Sequence, residues 1–87
     1  MPDVIVASGY SSSILRGAYL TALGSVRNLL GADIFTISLL PTTSANYVEN
    51  SNYLRQLACG VGVNCNRFLG SIYNPSAAAN TFNAYFP

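Results

Sequence analysis

Four serines near the N-terminus are the first candidates for chemistry in this sequence: Ser8, Ser11, Ser12 and Ser13. A serine hydroxyl becomes a nucleophile when a neighbouring base takes its proton, and histidine is the usual base. The chain of 87 residues contains no histidine. It therefore cannot assemble a Ser-His triad, a histidine base or a histidine metal site from its own residues. We expect these serines to lie in a loop and to cap the helix that follows.

The two cysteines, Cys59 and Cys65, are the second candidates. They could form a disulfide across a short loop, or join a metal site whose other ligands come from elsewhere. Two cysteines do not complete a zinc site, and no basic and apolar secretion signal is visible at the N-terminus. We therefore expect free, partly buried thiols and no metal. A disulfide would instead favour an extracellular or virion location.

The glycines between the cysteines resemble part of a nucleotide-binding motif. Gly60 and Gly62 begin like G-x-G-x-x-G, but Cys65 stands at the third glycine and the segment follows a predicted helix instead of a strand. A phosphate-binding turn of this type must connect a strand to a helix. We therefore expect no cofactor.

Charged residues are scarce, with four basic and three acidic side chains and a net charge of +1. Because nucleic-acid binding relies on clustered basic residues, we expect no nucleic-acid partner. Arg16 and Arg27 could hold an anion together, but a solvated helix face is the simpler interpretation. The apolar region 14–40 is interrupted by charges, so we expect no membrane span. These features predict a cytoplasmic or virion-associated protein.

Hydrophobic periodicity predicts the elements that position these residues. Segment 3–7 is a short apolar run typical of a buried strand, and 33–40 alternates apolar and polar residues up to Pro41. Between them, 13–30 has helical spacing and is followed by Gly31 as a stop. The apolar stripe of this helix consists of Leu15, Ala18, Tyr19, Ala22, Leu23, Val26, Leu29 and Leu30.

The second half of the chain predicts one more helix and one more strand. Asn46 and Glu49 have the spacing of a capping box for a helix over 47–59, with Gly60 as its stop. Alternating residues then predict a third strand over 61–65. Residues 66–73 fit either a helical turn or an extended arm. We interpret 74–87, rich in Ala and Asn, as an extended docking tail.

The order strand, helix, strand, helix, strand predicts an α/β fold. We expect a small three-layer βαβαβ unit over residues 1–73, with right-handed crossovers and a parallel sheet. The tail 74–87 would follow as a second region.

Three segments resemble the SGNH (GDSL-type) ester hydrolases. Segment 2–9 (PDVIVASG) is similar to the strand that leads into their G-x-N-D motif, and 33–43 (DIFTISLLPTT) to their next strand. Segments 52–58 and 61–64 resemble the following helix and strand, and the run from Asn74 resembles the approach to their D-x-x-H segment. The resemblance implies a flavodoxin-like sheet and the later part of this fold.

The departures from this family concern its catalytic groups. The resemblance implies a serine nucleophile upstream of Met1 and a D-x-x-H segment beyond Pro87, so neither is supplied by this chain. Its G-x-N-D position reads Gly9-Tyr10-Ser11-Ser12, which leaves Gly9 and Ser11 as oxyanion-side candidates. Losing an oxyanion donor typically costs about 10²–10³ in rate. We expect no catalysis from the isolated chain.

One edge of the predicted sheet has no partner in the sequence. The strand at Val4–Ala7 would be central in the complete family fold, and an open apolar edge invites pairing. We therefore expect a homo-oligomer or a companion chain that pairs with this edge, for example in a phage or virus particle. Our first hypothesis is a non-catalytic structural or interaction module. The alternative is one piece of a split or processed ester hydrolase, and a third is a small subunit of a membrane complex.

Overall fold

A computed structural model describes residues 3–9 and 13–85 of the chain. It confirms the predicted α/β fold, with a three-stranded parallel sheet between layers of helices. The elements in chain order are β1 (Asp3–Ser8), α1 (Ser13–Leu30), β2 (Asp33–Ser38), α2 (Tyr47–Cys59), β3 (Phe68–Ser71) and α3 (Pro75–Tyr85).

The sheet has the strand order β1-β2-β3, so β2 is its central strand. β1 and β2 pair in register from Asp3 opposite Asp33 to Ser8 opposite Ser38. β2 and β3 also pair in parallel, with a register shift after Thr36. Both crossovers therefore progress in one direction across the sheet, as successive right-handed connections do when their helices share a face.

Helices α1 and α2 lie on the same face of the sheet. Thr36 in β2 is fully buried, and its hydroxyl donates a 2.9 Å hydrogen bond to the Leu54 carbonyl of α2. The apolar contacts on this face centre on α2 and include residues of α1 and β3: Leu20, Leu23, Tyr53, Leu54, Leu57 and Phe68. Most of the core on this face therefore lies beneath α2.

Helix α3 covers the opposite face. Because side chains alternate along a strand, Phe35 points away from the face that Thr36 occupies. The buried Phe35 ring packs against Phe82 of α3, with 5.1 Å between ring centroids, and also contacts Leu69 and Ala78. This second cluster completes a three-layer arrangement around β2 and β3.

The predicted third strand at 61–65 is wrong. Gly60 and Gly62 have φ of 106° and 76°, which places this segment in a turn that leaves Val61 and Val63 exposed. β3 instead forms at Phe68–Ser71, inside the segment for which both a helical turn and an extended arm fitted the pattern. Phe68 packs against α2 on one face of the sheet, and Leu69 packs against α3 on the other. This burial on both faces favours a strand at these two residues.

The extended tail is also wrong for residues 75–85, which form α3. Pro75 occupies the first helical position, where its missing N–H is not needed, and alanines favour the helix that follows. Ala78 and Phe82, one turn apart, face the sheet. Residues 75–85 therefore pack as an amphipathic helix on the sheet of the same chain.

Helix α2 has the predicted bounds, but not the predicted cap. Asn46 precedes the helix and makes no side-chain capping hydrogen bond. Glu49 instead forms an ion pair with Arg16 of α1 at 2.6 Å. The capping-box prediction is therefore wrong, because the carboxylate is engaged by the neighbouring helix.

The expectation of free thiols is wrong as well, since Cys59 and Cys65 are bonded to each other. The disulfide closes the turn at the carboxyl end of α2. Two guanidinium groups hold the same helix end: Arg27 Nη2 donates to the Leu57 carbonyl at 2.8 Å, and Arg67 Nη2 to the Ala58 carbonyl at 3.3 Å. Positive groups are favourable here, because the carboxyl end of a helix has a partial negative charge.

Candidate interaction surface

The open edge of β1 is the first component of the surface. Within residues 3–9 and 13–85, β1 pairs with β2 and with no other strand. The Leu39 N–H donates to the Ser8 carbonyl at 2.9 Å, so Ser8 directs its backbone groups toward β2. Backbone direction alternates along a strand, so Asp3, Ile5 and Ala7 direct their N–H and C=O groups to the open side.

The side chains of β1 leave apolar surface on the α3 side of the sheet. Ile5 lies opposite Phe35 and Ala7 opposite Ile37, so both side chains point to that face. Helix α3 contacts β3 and the Phe35 region of β2, and Ile5 stays 58% exposed. The edge strand is thus uncovered both along its backbone and on one face.

Helix α1 presents the second component, which we call the α1 stripe: Leu15, Ala18, Tyr19, Ala22, Leu29 and Leu30. The sequence pattern predicted an apolar stripe on this side of the helix. In the structure Leu29 is 83% exposed and Leu30 is 64% exposed, while Leu20 and Leu23 contact α2. α1 packs on α2 through one flank, and the sheet ends at β1. Among the residues that the structure describes, therefore, no layer covers most of the α1 stripe.

The two arginines of α1 explain this orientation. Predicted to lie on a solvated face, Arg16 and Arg27 instead contact α2. The Arg16 guanidinium lies 5.3 Å from the centre of the Tyr53 ring and pairs with Glu49, whereas Arg27 binds the Leu57 carbonyl. Each arginine therefore has its own partner on α2, and the structure gives no support to a shared anion site.

A groove of about 490 Å³ lies between α1 and β1. Its walls are the carboxyl half of β1, from Val6 to Gly9, and the α1 side chains Tyr19 and Ala22, with Tyr53 and Leu57 at its base. The lining is mostly apolar. Because β1 is the edge strand, this groove follows the side of the sheet on which the described part of the chain places no strand.

Tyr53 is the group in this region whose acidity is clearly altered. Its side chain is almost fully buried. Burial raises the pKa of Tyr53 above its ordinary value of 10.0, and the neighbouring Tyr19 hydroxyl raises this pKa further, while the positive charge of Arg16 opposes both. Tyr53 is therefore neutral near pH 7 and contributes a hydrogen-bonding hydroxyl instead of a base.

A polar cluster lies at the carboxyl ends of β1 and β2. Asn50 of α2 is fully buried, and its Nδ2 donates to the Ser38 hydroxyl at 3.3 Å and weakly to the Ser8 carbonyl at 3.5 Å. The Ser8 hydroxyl donates to the Gly9 carbonyl at 3.0 Å. Ser8 thus has a local structural partner, and Asn50 ties α2 to both strand ends.

The oxyanion-side candidates can be placed only in part. Gly9 lies at the carboxyl end of β1, on the rim of the groove. Ser11 and Ser12 lie outside the described residues. The sequence did not single out Asn50 and Thr36, which are among the most buried hydrogen-bonding side chains of this region. A small polar residue such as Thr36 in a strand is equally typical of an exposed position, and Asn50 in a helix is equally typical of a solvated face.

Other classes of site find no counterpart in the described part of the chain. Among residues 3–9 and 13–85, His, Cys, Asp and Glu side chains form no group of three that could hold a metal ion. None of the helices described is both long and apolar enough to cross a membrane. Comparison with protein-family models, curated proteins and solved structures found no match to this chain.

Proposed function

We propose that this protein is a non-catalytic α/β interaction module whose sheet is extended at β1 by a strand from another polypeptide, either a second copy or a companion chain. The observation that carries this proposal is the combination, within residues 3–9 and 13–85, of an unpaired strand edge with an exposed apolar helix stripe beside it. A strand added to a sheet edge satisfies the free backbone groups, and its side chains fill neighbouring pockets.

The direction of the α1 stripe supports an added strand over a flat contact between helices. At 100° per residue, the centre of the stripe is about 110°, or nearly a third of a turn, from the α2-facing flank of α1. That flank carries Arg16, Leu20, Leu23 and Arg27. With α2 beside α1, the stripe faces the plane that the sheet would occupy if it continued past β1. Tyr19 and Ala22 already face the groove above β1.

Hydrogen exchange with a synthetic peptide tests this function. The probe is a peptide of residues 2–9 (PDVIVASG), mixed with the full chain at a concentration where the chain is monomeric. We expect the amides of Ile5 and Ala7 to exchange more slowly with the peptide present, because their N–H groups face the open edge. The amides of Val4 and Val6 face β2 and should change little.

A matched peptide with proline in place of both Ile5 and Ala7 is the control, since it has lost the two edge N–H groups. The proposed function would be overturned if the two peptides slowed exchange at Ile5 and Ala7 equally. It would also be overturned if exchange at these amides were the same with and without the unmodified peptide. The disulfide adds a condition to the assay. The disulfide must be intact, because it fixes the end of α2. The assay is therefore run without reductant, as in the oxidising compartments where disulfides persist.

A specific observation favours the second candidate, a piece of a split or processed SGNH-type ester hydrolase. α3 lies on the face opposite α1 and α2, and a right-handed crossover on that face leads back toward β1. A strand joined in this way would lie beside β1. The order of strands would then reverse at the carboxyl end of β1, next to Gly9. Ligands bind at such points in open α/β sheets.

The two candidates differ in the chemistry of the completed assembly. For the second, a partner segment must supply the nucleophilic serine and the Asp/His pair. Co-expression with such a segment should produce hydrolysis of a p-nitrophenyl ester that is lost when the partner's serine is replaced by alanine. An assembled complex that binds but hydrolyses no ester supports the first candidate.

A further inference from the structure

We infer that the strand that pairs with β1 belongs to a second copy of this chain, in a two-fold symmetric dimer with antiparallel β1 strands. This inference rests on the proposed function, and it names the occupant of the surface. The result would be a continuous six-stranded sheet with a dyad perpendicular to it. Closed two-fold dimers are the commonest assemblies of identical chains.

Symmetry and backbone direction restrict how β1 can pair with itself. A dyad perpendicular to the sheet leaves each side chain on its own face, so odd-numbered residues oppose odd-numbered residues. The outward-facing backbone groups belong to Asp3, Ile5 and Ala7, as the Leu39–Ser8 hydrogen bond establishes. Placing Ile5 opposite Ile5 of the second copy lets all three exchange paired hydrogen bonds, since Asp3 then faces Ala7. A shift that places Ile5 opposite Ala7 would leave Asp3 without a strand partner.

Charge and side-chain type suit this register. Asp3 is the only charged residue of β1, and it would face an alanine, so no like charges oppose each other across the dyad. Val4 faces Val6 on the α1 side, and Ile5 faces Ile5 on the other. β-branched side chains pack well against one another across neighbouring strands.

The exposed apolar side chains supply about half of the area of a standard dimer interface. Both copies of α1 would lie on one face of the joined sheet, with their stripes toward the joint. Ile5, Leu15, Tyr19, Leu29 and Leu30 are each exposed by 45% or more. At about 150 Å² for a large side chain, these exposures supply up to roughly 450 Å² of apolar surface per copy. The strand backbone and the alanines of the stripe add to this, toward the about 800 Å² per partner of a stable interface.

Oxidative cross-linking of the full chain tests the register. Cys59 and Cys65 are bonded to each other, so an introduced cysteine is the only free thiol. Hydrogen-bonded antiparallel pairs have Cα atoms about 5.5 Å apart, within the range that a disulfide spans. We expect Ile5→Cys to form a covalent dimer on air oxidation. Ala7→Cys is the matched control, because its two copies would be about four residues, or roughly 14 Å, apart along the strands.

Sedimentation equilibrium measures the association itself. We expect the unmodified chain to reach twice its monomer mass as concentration rises. Ile5→Lys places two ammonium groups opposite each other and should raise the dimer Kd roughly tenfold or more, about 1.4 kcal/mol. Val48→Lys, at an exposed apolar position on α2, should leave the Kd unchanged.

A chain that remains monomeric at all concentrations would overturn the inference, as would a dimer that Ala7→Cys links and Ile5→Cys does not. Equal weakening by Ile5→Lys and Val48→Lys would also overturn it, because the contact would then not be specific to β1. In each case the peptide exchange experiment still decides the proposed function independently, since it needs only one copy of the sheet edge.

Discussion

The contact between Phe35 and Phe82 provides a quantitative test of where α3 packs. Phe35 is fully buried in β2, and its ring lies 5.1 Å from that of Phe82, tilted by 57°. Truncating a buried phenylalanine to alanine costs about 3–5 kcal/mol, most of the stability of a small domain. Phe→Leu substitutions at both positions are therefore better suited, because the variants should stay folded.

A double-mutant cycle isolates the interaction between the two rings. Aromatic pairs in this geometry contribute about 0.5–1.5 kcal/mol beyond the area they bury. The free energy of unfolding of a small domain falls by about 1 kcal/mol per molar urea. If the losses of the two single variants were simply added, the predicted urea midpoint of the double variant would be too low by about 0.5–1.5 M. The assay is urea unfolding followed by circular dichroism, at one protein concentration for all four proteins.

Phe68 provides the control for this cycle. It packs with α2 on the opposite face of the sheet, so Phe68→Leu and Phe82→Leu should be additive to within about 0.3–0.5 kcal/mol. If the Phe35–Phe82 coupling were no larger than that of the control pair, α3 would not be packed on β2. In that case α3 would also not direct a crossover back toward β1.

Three further changes should have measurable effects. Replacing Cys59 and Cys65 with serine should lower the free energy of unfolding by about 2 kcal/mol, given the short loop that they close, and adding reductant to the unmodified chain should lower the urea midpoint similarly. Thr36→Val should cost about 1 kcal/mol without changing the circular dichroism spectrum, because it removes the buried hydrogen bond to Leu54. The pKa of Tyr53 is raised in the folded state, so burying its neutral hydroxyl contributes fully to the free energy of unfolding below pH 10. This contribution is lost as the pH rises through the folded-state pKa. In urea unfolding measured against pH, Tyr53→Phe should therefore reduce the alkaline loss of stability.

The helix bounds were predictable because local signals determine them. α1 runs over the predicted 13–30 and α2 over the predicted 47–59. Both are followed by glycines, Gly31 and Gly60, that adopt positive φ and end the helix at little cost. Strand–helix alternation likewise sufficed for the α/β fold and the parallel sheet.

The errors concern properties that depend on neighbouring elements. Periodicity located the α1 stripe but could not reveal that α2 would pack on the adjacent flank through Arg16 and Arg27. The alternation of Phe35 and Ile37 with Thr36 resembled a half-exposed strand. In the structure, Thr36 is buried because α2 supplies a carbonyl acceptor for its hydroxyl. The placement of candidate Gly9 followed from the strand, whereas the polar cluster around Asn50 depends on contacts between residues far apart in sequence.

The unequal covering of the two ends of the sheet also determines how the native structure opens. At one end, the disulfide and Arg67 hold the end of α2, and most of the core lies beneath this helix. At the other end, β1 contributes no fully buried residue and α1 leaves its apolar stripe in water. Local stability follows such differences in burial, so the N-terminal βα unit should unfold in a partial step while α2, β2 and β3 remain native. A protease would then cut first within α1, and a bound strand would protect the chain by raising the free energy of that first step.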